Sequence, residues 1–270
     1  MSGPAVAEMK GVVVCPGGEG ASPVLRGCSF SVEPGERVVI VGESGAGKTT
    51  ILRTIARLIS LKKGTLRAPD SIGWLPQHPL TAFDPRWPVI RSVCEPLVVA
   101  GESRSDARSK AKKLLGSVKL SHMQWDMRPS ALSGGQLRRA AVARAIAASP
   151  SLVLADEPTA GLDPEAALSL VDLFREMTSK LGTAVLWVTH DLGIASAVAD
   201  RVLVLDEGII VEVASMERLA MNPRTDIARK LLGAWLPLDP DAARRQFREP
   251  GSVSPNPAAW MLSEPSPPAP

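Results

Sequence analysis

The stretch GESGAGKT, Gly42 to Thr49, is the first feature of the chain whose residue types and spacing indicate chemistry. It matches the pattern G-x-x-x-x-G-K-[ST], directly after an apolar run typical of a strand and before a helical pattern. Glycines let backbone N–H groups surround phosphate oxygens, Lys48 supplies a cation for the β- and γ-phosphates, and Thr49 offers a hydroxyl to Mg²⁺. The predicted nucleotide contacts are Gly42, Glu43, Ser44, Gly45, Ala46, Gly47, Lys48, Thr49 and Thr50.

A second chemical motif is LVLADEP, an apolar run that ends in Asp156 and Glu157. Successive side chains at the end of a strand point in opposite directions, so one carboxylate can face Mg²⁺ while the other faces a water molecule. Taken alone, the two acids could equally be solvated residues at a strand end. The phosphate-loop pattern in the same chain favours a shared site.

The third motif is LSGGQ, in which Ser133 is a predicted helix cap and two glycines allow close approach of backbone. The free N–H groups of the helix that follows offer a second anion-binding position. A capped helix after a glycine turn would explain this motif by itself. Two helix N-termini suited to binding phosphate in one chain nevertheless indicate a more specific function.

Several apolar runs predict the strands that must position these motifs. The runs RVVIVG, LVLAD and AVLWVTH are nearly continuous, as expected for parallel strands covered by helices on both faces. GVVVC and RVLVLDEGIIVEV are further strand-like runs, and KTTILRTIARLIS predicts a helix that buries Ile51, Leu52, Ile55, Leu58 and Ile59.

The composition changes twice along the chain. Residues 78–150, approximately, predict a mostly helical subdomain inserted between strands of the sheet. The Pro-rich residues 238–270 predict a disordered tail, so the folded domain that carries the three motifs is expected within residues 1–237.

Charge, cysteine content and hydropathy limit the possible classes of protein. With 31 basic and 28 acidic side chains, the net charge of +3 argues against a nucleic-acid partner. Three cysteines without a CxxC pair indicate neither a disulfide framework nor a zinc site and fit a reducing cytosol. Without a targeting pattern or an apolar span, any membrane role is expected to be peripheral and to act through partners.

Together, these motifs resemble the ATP-binding cassette (ABC) family of transport ATPases. GESGAGKT, a lone Gln77, LSGGQ, LVLADEP, AGLD and VTHD occur in the order of that family, over roughly residues 10–235. The resemblance implies an α/β fold: a P-loop NTPase (RecA-like) core with a small antiparallel β portion and an inserted helical subdomain. It also implies a head-to-tail dimer with two ATP molecules at the interface.

The resemblance assigns roles to individual residues. Glu157 would be the general base on the attacking water, His190 would contact the γ-phosphate, and Asp163 would lie at the dimer interface. The LSGGQ residues Ser133, Gly134, Gly135 and Gln136 would bind the ATP held by the partner. The implied Mg²⁺ contacts are Thr49, Gln77 and Asp156.

The resemblance also implies partners and a location. The partners would be transmembrane permease subunits, a second ABC ATPase subunit (a sister chain or a copy) and, indirectly, a solute-binding protein. The location would be the cytoplasmic face of the inner membrane. The segment QHPLTAFDPRW is similar to the one in peptide and nickel importers, so the expected cargo is a peptide, nickel or a metal–metallophore complex, although the carboxyl-terminal motif of that group is reduced here.

Other functional classes remain open at this stage. A separate ATPase of an exporter is the main alternative. Chromosome or repair cassettes have long heptad helices and translation-type cassettes carry two cassettes in one chain, and neither pattern is present here. A P-loop kinase or regulator would leave LSGGQ unexplained.

The chain departs from the family pattern at the adenine position. Family members usually stack adenine on an aromatic side chain near the first strand, but this chain has no tyrosine. Val14 or Cys15 is expected at that place.

Overall fold

The computed structural model describes residues 4–17 and 20–235, and the predicted tail, residues 238–270, lies outside the described residues. The strands are β1 (Ala7–Val14), β2 (Leu25–Val32), β3 (Arg37–Val41), β4 (Lys63–Arg67), β5 (Ile72–Leu75), β6 (Leu152–Asp156), β7 (Ala184–Thr189), β8 (Arg201–Asp206) and β9 (Ile209–Ala214). The helices are α1 (Lys48–Ile55), α2 (Val89–Val99), α3 (Arg104–Ser117), α4 (His122–Trp125), α5 (Gly134–Ile146), α6 (Pro164–Leu181), α7 (Leu192–Val198), α8 (Met216–Met221) and α9 (Asp226–Trp235). Two short 3₁₀ segments cover Pro79–Ala82 and Pro129–Ala131.

The strands form two sheets. The larger one has the order β5-β6-β7-β3-β8-β9, in which all neighbouring pairs are parallel except the antiparallel pair β8–β9. The smaller sheet is antiparallel, with the order β2-β1-β4. In the large sheet β5, β6 and β7 lie on one side of β3, while β8 and β9 lie on its other side. The α/β folds commonly bind ligands at such a switch in strand order.

The continuous apolar runs lie in the middle of the large sheet, as their sequences predict. Every residue of β6 and β7 is buried. Val153 and Ala155 face the helices on one side, while Leu152 and Leu154 face α1 and the small sheet on the other. Because both faces are covered, these strands show no alternation of polar and apolar residues.

The amino-terminal part departs from the sequence prediction at two places. β1 begins at Ala7, earlier than the run GVVVC. A bulge between Met9 and Val12 interrupts the alternation of buried side chains, so the sequence pattern does not show the strand as continuous. The helix predicted to include Leu58 ends at Ile55, and Arg57 has a positive φ of 59°. Leu58 is therefore 68% exposed, and the prediction that it is buried is wrong.

Between β5 and β6 all the elements are helical: the 3₁₀ segments and α2 to α5. The run RVLVLDEGIIVEV is a hairpin of β8 and β9, with a turn at Glu207 and Gly208. Both turn residues have positive φ, the geometry of a type I′ turn that suits the twist of paired strands.

After β9 the chain is held by one buried carboxylate. The side chain of Glu212 is 2% exposed and accepts hydrogen bonds from the backbone N–H groups of Arg224 and Thr225 and from the Thr225 hydroxyl. Arg218 donates a longer bond to the same carboxylate at 3.4 Å. Glu212 thus fixes the segment that leads into α9.

Replacing Glu212 by alanine should destabilise the chain by about 2 kcal/mol, because several partly buried donors lose their acceptor. Urea denaturation measures this free energy of unfolding. The matched control is Glu176→Ala, which removes an exposed carboxylate paired with Lys180 and should leave the midpoint unchanged. Equal midpoints for the two variants would contradict the anchoring role.

Candidate active site

The glycine-rich segment forms a loop between the end of β3 at Val41 and the start of α1 at Lys48. Gly45 and Gly47 have φ values of +83° and +105°, which side chains with a Cβ rarely adopt. A Cβ on Gly42 would lie 2.3 Å from the Leu205 carbonyl oxygen. The loop therefore needs glycine for its backbone conformation and for its approach to β8.

Lys48 is the cation of this loop, and its side chain is 6% exposed. Its Nζ donates to the carbonyl oxygens of Gly42 and Glu43 at 2.9 Å each and lies 3.8 Å from Oε1 of Glu157. Burial lowers the pKa of Lys48, while the nearby carboxylates act in the opposite direction. The loop and β6 thus hold one buried ammonium group between them.

Asp156 ends β6 and meets α1 through Thr49. The Thr49 hydroxyl donates to Oδ1 of Asp156 at 2.9 Å. Burial raises the pKa of Asp156, which the Thr49 hydrogen bond partly offsets. A hydroxyl and a carboxylate are hard oxygen donors, which fits Mg²⁺ bound through one or two carboxylates together with substrate phosphates. Within the part of the chain that the structure describes, no group of three or more His, Cys, Asp or Glu residues could hold a metal by itself.

Glu157 follows Asp156, and its side chain reaches the residue after β7. Its Oε2 lies 3.0 Å from Nδ1 of His190, which directly follows Thr189 of β7. Glu157 has a positive φ of 42°, an uncommon backbone conformation for a residue with a side chain. Asp156 and Glu157 thus contact different side chains, Thr49 and His190 respectively.

These elements surround a cavity of about 580 Å³. It is lined by Val24, Ser44, Gly45, Gly47, Lys48, Thr49, Thr50, Gln77, Glu157 and His190. All of these except Val24 are predicted site residues. The volume falls within the range of about 300–1,000 Å³ that small-molecule pockets commonly have.

The remaining predicted residues lie outside the lining of this cavity. Gly42, Glu43, Ala46 and Asp156 belong to the elements that form it. Ser133, with the Gln136 side chain in a reciprocal capping box, begins α5, and Asp163 caps α6 through the Ala166 N–H. Ser133, Gly134, Gly135 and Asp163 are exposed. Within one chain, the structure does not bring LSGGQ or Asp163 to the cavity.

Val24 is a cavity residue that the sequence analysis missed. It precedes β2, and its N–H donates to the carbonyl oxygen of Val14 at 2.9 Å. Val14 is fully buried, and neither Val14 nor Cys15 lines the cavity, whereas Val24 does. A lone valine between a loop and a strand gives no chemical signal in a sequence.

Arg138 is a second residue near the site that belongs to none of the recognised sequence motifs. From α5, its Nε donates to the carbonyl oxygen of Pro158 at 3.0 Å and one terminal nitrogen donates to Ala160 at 2.6 Å. Burial lowers the pKa of Arg138. The helix that begins at LSGGQ is thereby bonded to the turn that follows Glu157.

Comparisons with known proteins find one family model and several relatives of similar sequence. Residues 25–160 match the family model described as "ABC transporter". The chain is 37% identical over 236 residues to the methionine import ATP-binding protein MetN of Rhizobium etli, and the match covers 82% of this chain but only 65% of that relative's length. It is 36% identical to the L-cystine transport system ATP-binding protein TcyN of Escherichia coli, covering 79% of this chain and 92% of TcyN. The arginine transport ATP-binding protein ArtM of Bacillus subtilis is 35% identical over 79% of this chain and 94% of ArtM.

Solved structures give the same fold. A dimeric, post-hydrolysis structure of the ATP-binding cassette MJ0796 bound to ADP and Pi superposes with a TM-score of 0.70 at 27% identity, covering 78% of this chain and 98% of that one. For cbiO1 from Clostridium perfringens the TM-score is 0.73 at 22% identity, over 82% and 92% of the two chains, which is evidence of the fold alone. The predicted α/β, P-loop cassette fold is confirmed.

The Arg138 contact leads to a measurable expectation. Arg138→Met should raise hydrogen–deuterium exchange of the amides in residues 159–163 by about tenfold, because the turn loses two charge-assisted hydrogen bonds. Arg139→Met on the same helix is the matched control, since no hydrogen bond from Arg139 to this turn is found among the described residues. Mass spectrometry measures the exchange. Equal exchange in both variants would contradict the proposal that Arg138 restrains the turn after Glu157.

Proposed function

The chain belongs to the ABC transporter family, and from that membership we propose that it is the subunit that binds and hydrolyses ATP to drive transport across a membrane. The observation that carries this proposal is the cavity in which Lys48, Glu157 and His190 meet. A buried ammonium on a glycine loop suits a triphosphate, and a carboxylate beside it suits activation of water.

The proposed roles follow from these positions. Backbone N–H groups of Gly42 to Thr50 and the Lys48 ammonium bind the phosphates. Thr49 and Asp156 would hold Mg²⁺, with Gln77 at the same cavity. When bound, Mg²⁺ would offset the charge that develops on the phosphate oxygens.

Glu157 is the proposed general base. Water attacks the γ-phosphorus, the bond to the leaving oxygen of ADP breaks, and the proton of the water passes to the Glu157 carboxylate. His190, 3.0 Å from that carboxylate, would contact the γ-phosphate and hold Glu157 in place.

We extend the proposal to a dimer because the LSGGQ residues Ser133, Gly134 and Gly135, and Asp163, are exposed and lie outside the lining of the chain's own cavity. Gly134 and Gly135 begin α5 away from the chain's own cavity, and both are exposed, so the start of this helix is accessible to a second molecule. In a head-to-tail pair, LSGGQ of one chain would complete the cavity of the other, and Asp163 would lie at the interface. The sister chain can be a copy or a different ATPase subunit.

Glu157→Gln should lower the ATPase rate by about a hundredfold or more, because the amide cannot accept the proton. The variant should still bind ATP and accumulate as a dimer in size-exclusion chromatography. Glu176→Gln, on the exposed face of α6, is the control and should keep the wild-type rate. Unchanged turnover in Glu157→Gln would remove Glu157 as the base.

The proposed direction of transport is import. The relatives named above are described by methionine import, cystine transport and arginine transport, and the exporter alternative gains no support from them. They give no support to a peptide, nickel or metallophore cargo either, so our proposal ends at an import system with the cargo class open. A soluble cassette function is set aside for the same reason.

The proposed partners are permease subunits, and through them a solute-binding protein. Over residues 4–17 and 20–235, no helix has both the length and the apolar character needed to cross a membrane. We place the chain at the cytoplasmic face of the membrane, bound through the permease, and treat residues 78–150 as the inserted helical subdomain.

The segment after Gln77 is the proposed docking surface. Gln77 lines the cavity, and the 3₁₀ segment Pro79–Ala82 that follows leaves Leu80 55% exposed. Phe83 is buried in the helical core, and the Arg91 guanidinium lies 3.9 Å from the centre of the Trp87 ring. A stiff surface anchored at Phe83 can therefore connect the permease to the nucleotide.

Leu80→Glu should lower the fraction of the chain that co-purifies with permease-containing membranes, because a charge would replace an apolar contact. The ATPase activity of the isolated chain should remain. Leu58→Glu is the control, at another exposed leucine outside this segment. Wild-type membrane binding by Leu80→Glu would exclude Leu80 from the docking surface.

A further inference from the structure

The turn between β8 and β9, Glu207 and Gly208, is hydrogen bonded to both sides of the nucleotide cavity. The Gly208 N–H donates to the carbonyl oxygen of Ala46, inside the phosphate loop, at 3.0 Å. The Gly208 carbonyl oxygen accepts from the Arg26 N–H at 2.8 Å, two residues after the cavity residue Val24. One glycine therefore bridges the loop that holds Lys48 and the strand that carries Val24.

There is no space for a side chain at this bridge. A Cβ on Gly208 would lie 2.0 Å from the Val24 carbonyl oxygen and 3.2 Å from Cα of Leu25. These are backbone atoms, so rotation of a side chain cannot relieve the clash. Gly208 also has a positive φ of 78°. A larger residue would have to separate the turn from Val24 and Leu25.

Arg26 of β2 is hydrogen bonded to the turn. Its guanidinium donates to the Glu207 carbonyl oxygen at 2.6 Å and to the Glu207 carboxylate at 2.7 Å. The Cys28 thiol lies 3.1 Å from the Gly208 carbonyl oxygen. The turn and β2 therefore behave as one unit at this point.

We propose that the Glu207–Gly208 turn is a positioning element that sets the distance between the Val24 wall and the phosphate loop. The inference rests on the proposed nucleotide-binding function and adds a determinant to it. Val24 supplies an apolar side chain beside the otherwise polar lining of the cavity, which suits the nucleoside end of a nucleotide. A ligand that spans both parts depends on their spacing, whereas a ligand held by the phosphate loop alone does not.

The test compares two ligands on the full chain: a non-hydrolysable ATP analogue, which spans both parts, and inorganic tripolyphosphate, which occupies the phosphate loop only. Gly208→Ala should weaken binding of the analogue by about tenfold and leave tripolyphosphate binding within about twofold of wild type. In turnover, the same variant should raise KM with kcat little changed, because Glu157 and His190 are not displaced. Competition against a fluorescent nucleotide measures both affinities.

Gly101→Ala is the matched control. Gly101 also has a positive φ, 96°, but no atom lies within 4 Å of an added Cβ. The Gly101→Ala variant carries the backbone strain without the clash, so it should leave the affinities for the ATP analogue and for tripolyphosphate unchanged. The difference between the two variants therefore isolates the contact with Val24.

If Gly208→Ala fails to fold, Arg26→Ala answers the same question by loosening the turn without a clash. It should weaken the ATP analogue by about threefold and spare tripolyphosphate, and Arg26→Lys should recover part of the loss. Equal losses for the two ligands, or no loss for the analogue, would overturn the positioning role. A wild-type chain that binds neither ligand would overturn the nucleotide-binding proposal itself, which separates the two failures.

Discussion

The site depends on parallel strands that end at one edge of the large sheet. Val41 of β3 is paired with Thr189 of β7, and Asp156 of β6 is paired with Val188 of β7. The next residues along these strands are therefore neighbours, although they are far apart in the sequence. This alignment brings the phosphate loop, Glu157 and His190 to one cavity, and a change of register between β3, β6 and β7 would separate them.

Burial at this edge of the sheet shifts the pKa values of a cationic and an anionic side chain, Lys48 and Asp156. It lowers the pKa of Lys48 and raises that of Asp156, so each charged form is disfavoured by its surroundings. Loop carbonyls accept from the ammonium and Thr49 donates to the carboxylate, which offsets part of that cost. The charges are kept where substrate phosphates and a cation would bind, and the positive φ of Glu157 adds a local backbone cost.

The sequence predicts those parts of the site whose determinants are local. A few residues of sequence are enough to recognise the glycine spacing, the two adjacent acids and the continuous apolar runs, because each of these features reflects a single loop or strand. Val24 and Gly208 could not be predicted in this way, since their roles depend on contacts between Val24, Ala46 and Gly208 across two sheets. The bulge in β1 and the early end of α1 were missed because tertiary packing overrides the local pattern there.

Helix α5 gives a physical route between the two halves of the proposed dimeric site. Its first residues are exposed and suited to the partner's nucleotide, while Arg138, in the next turn, is bonded to the segment after Glu157. The 3₁₀ segment after Gln77 packs against the same helix. A rigid helix cannot shift at one of these contacts without shifting at the others, since its backbone hydrogen bonds keep its length fixed. Closure on ATP at LSGGQ would therefore be transmitted both to the base of the chain's own site and to the surface proposed for the permease.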